Sequence, residues 1–418
     1  MENVDQDAVL RARTLLLGSA RLSTRQEVEA YRVLAQVSPR AYLPKLAEAL
    51  VSHGYDASAE VRLALHAEAA EAARRIDPDA PNRTKQLHRA LEAYEHSLFR
   101  AGLRAEGRAV CEEMAEAGRY GFERGQVESR WYGHGRLATV LAEEGRHREA
   151  AEMHGRMVRS AGAGVADWNV IEWAAELGAA GLHEEAVAAF ALVVDDRRRE
   201  ATEDRTPLGS LAWDLVHHTR LLETAGRGAE AAATRRETLE LLARLARTGE
   251  SRSWSNILAW WATLFVLSGR PAEPAPSPDA PVPPFGTESH QWSPDTRQAY
   301  FDAVPALEAE AARLSRAGRL AELCAVHRRL TLRSALRAAR RSYLIEEPLR
   351  PLFDEGVALA RRLPGGHPAL PQALTDRAMF LVAAERYGEA YADFAEAVPL
   401  LDGPAPPVSV ISHPTSRK

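Results

Sequence analysis

The sequence L-A-T-V-L-A-E-E-G-R-H-R-E-A, from Leu137 to Ala150, is followed 36 residues later by W-A-A-E-L-G-A-A-G-L-H-E-E-A, from Trp173 to Ala186. In both copies a leucine stands four places before a glycine, and an alanine stands five places after it. These spacings place apolar residues on the facing sides of two helices joined at the glycine. Glycine is favoured just past a helix end because it adopts the left-handed conformation without a Cβ penalty. Residues 131–194 therefore predict two copies of a helix–turn–helix unit.

The same frame recurs along most of the chain. Anchoring on the turn glycine predicts hairpins at Gly54, Gly102, Gly145, Gly181, Gly226, Gly269 and Gly318. Four places before each glycine stands a large apolar residue, and seven places before it stands a small residue, with Glu95 as the exception. A last unit around Tyr387 has Glu385 in the position of the glycine. No pattern that is typical of strands competes with this frame, so the sequence predicts an all-α fold.

The paired helices resemble the tetratricopeptide repeat (TPR) family, whose unit of about 34 residues follows the pattern W-x2-L-G-x2-Y…A-x3-F. The chain follows this pattern in a degenerate form, and it resembles bacterial TPR arrays of the actinobacterial type. The resemblance implies a TPR-like solenoid of helical hairpins, wound as a right-handed superhelix and interrupted here by one Pro-rich linker. Such arrays are protein-binding scaffolds, and their first helices line a concave groove.

The frame and the proline content divide the chain into five parts. Residues 1–38 predict an N-terminal capping hairpin, because repeat arrays need atypical terminal units. Residues 39–269 form the predicted array. The seven prolines between Pro271 and Pro284 exclude a helix and predict a linker over residues 270–296. A second helical block with TPR-like units is predicted over 297–402, and a disordered tail over 403–418.

Composition and charge narrow the class of protein. The chain has 418 residues, of which 46% are hydrophobic and 27% charged, which is typical of a soluble globular protein. A formal net charge of -5 provides no field that would attract nucleic acid or anionic lipid. The most apolar segment, 257–267, is much shorter than the roughly 20 residues of a membrane helix. We expect a cytoplasmic protein without nucleic-acid or membrane partners, and the oligomeric state is left open.

The resemblance also implies which residues face the groove and bind a protein or peptide partner. Their positions relative to the turn glycine of each unit identify them as Arg89, His96, Arg100, Trp168, Glu172, Trp213, His217, Arg220, Asn256, Trp260 and Thr263. Six of the eight tryptophans lie within 94 residues, from Trp168 to Trp261. Tryptophan and arginine are the residues most enriched at binding hot spots. The alternative is that these tryptophans pack between helices as part of the core.

Candidate sites for catalysis or metal binding are weak. Asp195 and Asp196 resemble the acidic motif of all-α terpenoid synthases, which hold Mg²⁺ on a diphosphate, but no second metal-binding motif accompanies them. The pairs His217-His218 and His147/His154 lack further ligands at the usual spacing. No phosphate loop, nucleophile elbow or zinc-protease motif is present. We therefore expect a non-enzymatic protein without metal or cofactor.

Two alternatives to the interaction scaffold stay open at this stage. One is a regulatory or sensor module that responds to a peptide or small molecule and acts through a partner, since similar arrays serve as sensor regions of bacterial regulators. The other, more remote, is an all-α enzyme that uses diphosphate substrates at Asp195 and Asp196.

Overall fold

The computed structural model describes residues 5–18, 22–162, 166–253, 256–339 and 344–403. Over these ranges the regular structure is helical, and the one β-feature is an isolated bridge between Ser277 and Ala280. The predicted all-α fold is confirmed. The predicted disordered tail lies outside the described residues from position 404 onward, as does Trp254.

The chain forms two compact units, each made of two stretches of sequence. Unit 1 consists of Met1–Gly181 and Pro274–Tyr300, and unit 2 consists of Leu182–Glu273 and Phe301–Lys418. The residues after Pro274, which belong to the Pro-rich stretch, are thus counted with unit 1. The five-part division drawn from the sequence stays a prediction.

Unit 1 is a stack of helical hairpins in which each helix packs against the next one along the chain. Its helices are α1 (Gln6–Leu17), α2 (Thr24–Val37), α3 (Pro39–Asp56), α4 (Ala59–Arg74), α5 (Arg83–Arg100), α6 (Arg104–Glu123), α7 (His134–Glu143), α8 (His147–Ala161) and α9 (Asp167–Ala179). Buried alanines such as Ala69, Ala73 and Ala90 let neighbouring helices approach closely around Leu50 and Leu91. This pattern is that of a helical-hairpin solenoid.

Unit 2 begins in the same way and then packs back on itself. Its helices are α10 (His183–Thr202), α11 (Leu208–Thr224), α12 (Gly228–Thr248), α13 (Ile257–Leu267), the end of α14 (Pro294–Asp302), α15 (Val304–Arg316), α16 (Leu320–Ala339), α17 (Glu346–Arg361), α18 (Ala369–Ala383) and α19 (Tyr387–Asp402). Sequential neighbours pack together from α10 to α12 and from α15 to α19, α13 packs on α16, and the last helix, α19, packs on α12. Contacts between helices far apart in sequence therefore help to hold unit 2 together.

The predicted turn frame is largely present in the structure. Of the predicted turn glycines, Gly102, Gly145, Gly181, Gly226 and Gly318 have positive φ, with values between 67° and 83°. Glu385 adopts φ 59° at the position where the last unit lacks glycine, so the turn keeps its left-handed conformation even with a Cβ present.

Two of the predicted turn glycines are different. The prediction for Gly54 is wrong, because α3 continues through it to Asp56. Gly54 instead gives room to the ring of His66, since a Cβ at position 54 would lie 2.2 Å from His66 Nε2. Gly269 follows α13 but has a right-handed conformation and leads into a 3₁₀ turn, Arg270–Ala272. The predicted right-handed superhelix stays a prediction.

Candidate interaction surface of unit 1 and the predicted groove positions

Helix α7 binds the main chain of residues 282–296, which we call the 282–296 segment. The amide of Val282 donates to the carbonyl oxygen of Glu143 at 3.0 Å. The amide of Ser293 donates to Glu143 Oε1 at 2.8 Å, and the Arg136 guanidinium donates to the carbonyl oxygen of Gln291. Prolines cannot donate such hydrogen bonds, but the amides between them can. This proline-containing segment is thus held on one helix by hydrogen bonds to its main-chain groups.

Glu143 and Arg104 form the charged centre of this contact. The Glu143 side chain is 0% exposed and pairs with Arg104 at 2.7 Å, while Arg104 also reaches Glu144 at 3.1 Å and Asp295 at 2.9 Å. Burial raises the pKa of Glu143, and the Arg104 charge opposes that rise. Asp295 belongs to the 282–296 segment. Arg104 therefore links the carboxylates of Glu143 and Glu144 to an acidic side chain of that segment.

Helix α9 contacts the same segment at Gly286 and Thr287. Gly286 has φ 111°, and a Cβ there would lie 2.5 Å from the Cβ of Ala175. Both the backbone conformation and the close approach therefore require glycine. Thr287 hydrogen-bonds to the carboxyl group of Glu172, a predicted groove residue, and burial raises the pKa of Glu172 to about 8.

Two aromatic residues of the segment form a small core with Tyr300, which follows it in α14. The rings of Phe285, Trp292 and Tyr300 pack edge to face, with centroids 5.5 to 6.1 Å apart. Trp292 Nε1 donates to the carbonyl oxygen of Thr287 at 2.9 Å, which fixes the bend between the two residues. Phe285 and Trp292 are buried. The segment is therefore an ordered ligand-like element rather than a loosely attached strand.

The raised pKa of Glu172 leads to a testable pH dependence. Folded Glu172 keeps its proton up to about pH 8, whereas the unfolded chain loses it near 4.5. The folded state then binds more protons in this window, so this group makes stability fall as pH rises. Burial lowers the pKa of His154 to about 4. Buried histidines of this kind make stability rise with pH, but only below their ordinary pKa of 6.5.

We expect the Glu172→Gln variant to gain stability over the wild type between pH 6.5 and 8, by up to about 1.4 kcal/mol per pH unit. Urea unfolding followed by circular dichroism across this range measures the difference. The matched control is Glu149→Gln, because Glu149 is exposed and its pKa is lowered by Arg146. Parallel pH curves for wild type and Glu172→Gln would show that Glu172 is ionised in the folded protein.

The remaining predicted groove positions of unit 1 lie in varied surroundings. Arg89 is exposed and pairs with Glu48 at 2.9 Å. Arg100 is exposed and contacts His96, with 3.1 Å between Arg100 Nε and His96 Nε2. Burial and the neighbouring Arg100 charge lower the pKa of His96 to about 4. Trp168 is half-buried at the start of α9.

In unit 2 the predicted tryptophans lie between helices. Trp213 is 3% exposed, and its Nε1 donates to the carbonyl oxygen of Met379 at 3.0 Å. Trp260 is 1% exposed and donates to Asp214 Oδ1 at 2.9 Å. Each indole thus has a buried hydrogen-bond acceptor, which is the usual arrangement for a core tryptophan. Partner binding through these two residues stays a prediction.

The other predicted groove positions of unit 2 differ in their exposure to solvent. His217 is buried 4.7 Å from the ring of Phe190, and burial lowers its pKa to about 3. Arg220 pairs with Asp376 at 2.8 Å. Thr263 is buried in α13, whereas Asn256 is exposed just before that helix begins.

Asp195 and Asp196 lie on α10 and are paired within their own helix. Asp195 contacts Arg198 at 3.1 Å, and Asp196 contacts Arg199 at 2.6 Å, with largely exposed side chains. Over the described ranges, no group of three or more His, Cys, Asp or Glu side chains is arranged to hold a metal ion. Of the helices that the structure describes, none has the length and apolar character required to span a bilayer.

The charged residues that organise both units were not singled out from the sequence. These are Arg104, Arg136 and Glu143 in unit 1, and Arg328 and Asp376 in unit 2. One signal was available, because Glu95 occupies a position that is small in the other repeats. Glu95 is buried against Arg136. A carboxylate at a packing position requires a cation nearby, and that requirement could have indicated Arg136.

Comparison with known proteins does not assign this chain to a family. No protein-family model matches the chain, and no curated protein matches it. One similar solved structure is described as a circular tandem repeat protein with novel repeat topology and enhanced subunit contact surfaces. It shares 16% sequence identity over 95% of each chain, with a TM-score of 0.18. A TM-score this low does not establish a shared fold, and the TPR assignment remains a resemblance in sequence.

Proposed function

We propose that this protein is a non-enzymatic, cytoplasmic scaffold of TPR-like type that binds a partner protein or peptide on unit 1 through main-chain groups of the partner. The observation that carries the proposal is that α7 holds the 282–296 segment through Glu143 and Arg136. Both residues bind main-chain groups of that segment. A surface that recognises backbone groups accepts different sequences, and pockets for side chains then provide specificity.

The 282–296 segment indicates what the partner would look like. Its sequence V-P-P-F-G-T-E-S-H-Q-W-S-P-D-T places glycine against Ala175 and an acidic residue against Arg104. A partner that replaces it would carry a small residue flanked by aromatic ones and an acidic residue near its C-terminal end. In this proposal the segment is an intramolecular competitor that such a partner displaces.

The proposal predicts that releasing the segment creates a peptide-binding site. In the Gly286→Leu variant, the added side chain would collide with Ala175 and would need an unfavourable φ. A fluorescent peptide of residues 280–297 is expected to bind this variant at least tenfold more tightly than wild type. The reason is that a tethered competitor has an effective concentration of roughly millimolar. Fluorescence anisotropy measures both affinities.

The matched control is Gly102→Leu, since Gly102 also has positive φ but has no atom within 4 Å of an added Cβ. This variant is expected to bind the peptide no better than wild type. Loss of helical circular dichroism in Gly286→Leu, or equal peptide affinity in wild type and variant, would contradict the proposal. A partner isolated by affinity capture should in turn be competed away by the same peptide.

The regulatory alternative is favoured by a separate observation in unit 2, where three helices enclose a mostly apolar cavity with a few polar side chains in its wall. A protein that holds a small molecule there would respond to that ligand, whether or not unit 1 binds a peptide.

A further inference from the structure

A cavity of about 190 Å³ lies in unit 2 between α16, α17 and α18, with Phe265 of α13 among its walls. We call it the α16–α18 cavity. Its outer lining includes the exposed residues Ala321, Ala325 and Gln372, and its inner wall includes buried Phe353. Most of its lining is apolar side chains and small residues. The cavity is open on one side and apolar within, which is the usual form of a small-molecule site.

His327 lines the cavity and has unused hydrogen-bonding capacity. The residue is 5% exposed, and neither ring nitrogen makes a hydrogen bond within the described part of the chain. The nearest acid is Glu355, whose Oε2 is 3.5 Å from His327 Nε2 but whose side chain is 63% exposed. Burial lowers the pKa of His327, so the ring is neutral and offers one donor and one acceptor. Buried polar atoms without partners are uncommon in folded proteins.

The Asp376 carboxylate in the wall of the cavity is bound by two arginines, of which Arg328 also lines the cavity and Arg220 lies behind it. Asp376 lines the cavity and accepts hydrogen bonds from both Arg328, at 2.6 Å, and Arg220, at 2.8 Å. The three side chains together carry two positive charges and one negative charge. Arg328 also lines the cavity, and its Nη2 donates to Ser268 Oγ at 2.7 Å and to Asp376 Oδ1 at 3.4 Å. Its Nη1 donates to the carbonyl oxygen of Ser268 at 3.4 Å. A second anion would balance this cluster and accept from the second N–H of Nη1.

We propose that the α16–α18 cavity binds a small monocarboxylic acid with an apolar ring or branched body, its carboxylate directed toward His327 and Arg328. The size of the cavity sets the size of the ligand. A dry cavity of about 150 Å³ in another protein holds benzene, so this one has room for a ring with a short acidic substituent, roughly eight to ten non-hydrogen atoms. The carboxylate supplies the missing negative charge, and the apolar body packs on Phe265 and Phe353.

The test is isothermal titration calorimetry of the full chain with benzoate, phenylacetate, cyclohexanecarboxylate and 3-methylbutanoate. At least one is expected to bind with a Kd of about 1 mM or lower. The uncharged amide of the best acid is expected to bind at least tenfold more weakly, since it lacks the charge that the arginines require. Absence of binding by all four acids, or equal binding of the acid and its amide, would overturn the proposal.

A cavity-filling variant locates the site. Gly356 lines the cavity in the middle of α17, and an added Cβ there meets no atom within 4 Å. Gly356→Leu is expected to fold normally, because leucine is a better helix former than glycine, and to weaken acid binding at least tenfold. Gly388→Leu on α19 is the control, since Gly388 is exposed, is also free of contacts and lies outside the cavity. Unchanged affinity in Gly356→Leu would place the binding elsewhere and reject the site.

Discussion

Replacing Asp376 with alanine is expected to lower the free energy of unfolding of unit 2 by about 3–5 kcal/mol. Asp376 is buried in α18 and accepts hydrogen bonds from Arg220 on α11 and from Arg328 on α16. Transfer of a charge from water into the protein interior costs several kcal/mol, which the opposite charge offsets. Alanine removes the carboxylate and leaves two guanidinium groups facing each other. The effect is therefore larger than the loss of two hydrogen bonds.

Urea unfolding followed by circular dichroism measures the change, taken from the first transition because two units need not unfold together. The control is Asp196→Ala, which breaks the Asp196–Arg199 pair on the exposed side of α10. Exposed pairs contribute little, so its effect is expected to stay within about 0.5 kcal/mol. A loss below about 1 kcal/mol for Asp376→Ala would mean that both arginines find other partners or reach water.

The local part of this structure could be predicted from the sequence. A glycine after a helix is a local requirement of backbone conformation, so the turns at Gly102, Gly145 and Gly226 follow from the residues around them. The spacing of apolar residues likewise predicts the helices on either side. Gly54 shows the limit of this approach, because glycine also occurs where a neighbouring side chain leaves no room for a Cβ. At Gly54 that side chain is His66.

The parts that could not be predicted depend on residues far apart in sequence. Periodicity indicates which face of a helix is apolar, but not which other helix will cover it. Trp213 is covered by α18, whose Met379 carbonyl oxygen is 166 positions along the chain. For Trp260 a signal was present, since α13 has the sequence I-L-A-W-W-A-T-L-F-V-L and is apolar on every side. A helix of that kind is buried, so Trp260 belongs to the core.

The Pro-rich stretch illustrates a second limit. Proline content excludes a helix, and the residues around Pro283 and Pro284 were accordingly predicted as a linker. Composition does not say whether an extended chain packs on a surface. That depends on the amides of Val282 and Ser293 finding acceptors, and both are provided by Glu143. Contacts of this kind form only when the helices are assembled, so neither the sequence of α7 nor that of the Pro-rich stretch predicts them alone.

Replacing Arg136 with methionine is expected to destabilise unit 1 by about 3–5 kcal/mol. Arg136 on α7 pairs with Glu95 on α5, whose side chain is 1% exposed, and it also donates to the carbonyl oxygen of Gln291. Methionine fills part of the space but leaves the buried Glu95 carboxylate without its cation. Burial already raises the pKa of Glu95, and the loss of the Arg136 charge would raise it further. Urea unfolding at neutral pH measures the change.

The double variant Glu95→Gln/Arg136→Met separates the charge effect from the loss of packing. A neutral amide does not need a cation, so the double variant is expected to be more stable than Arg136→Met alone, with a coupling energy of about 2 kcal/mol. The control is Arg89→Met, which removes an exposed pair with Glu48 and should change stability by less than about 1 kcal/mol. Equal stability of the single and double variants would show that the Glu95 carboxylate does not depend on Arg136. In either case, chymotrypsin should cleave the 282–296 segment faster after Phe285 and Trp292 in Arg136→Met, because the Gln291 carbonyl has lost the donor that holds it on α7.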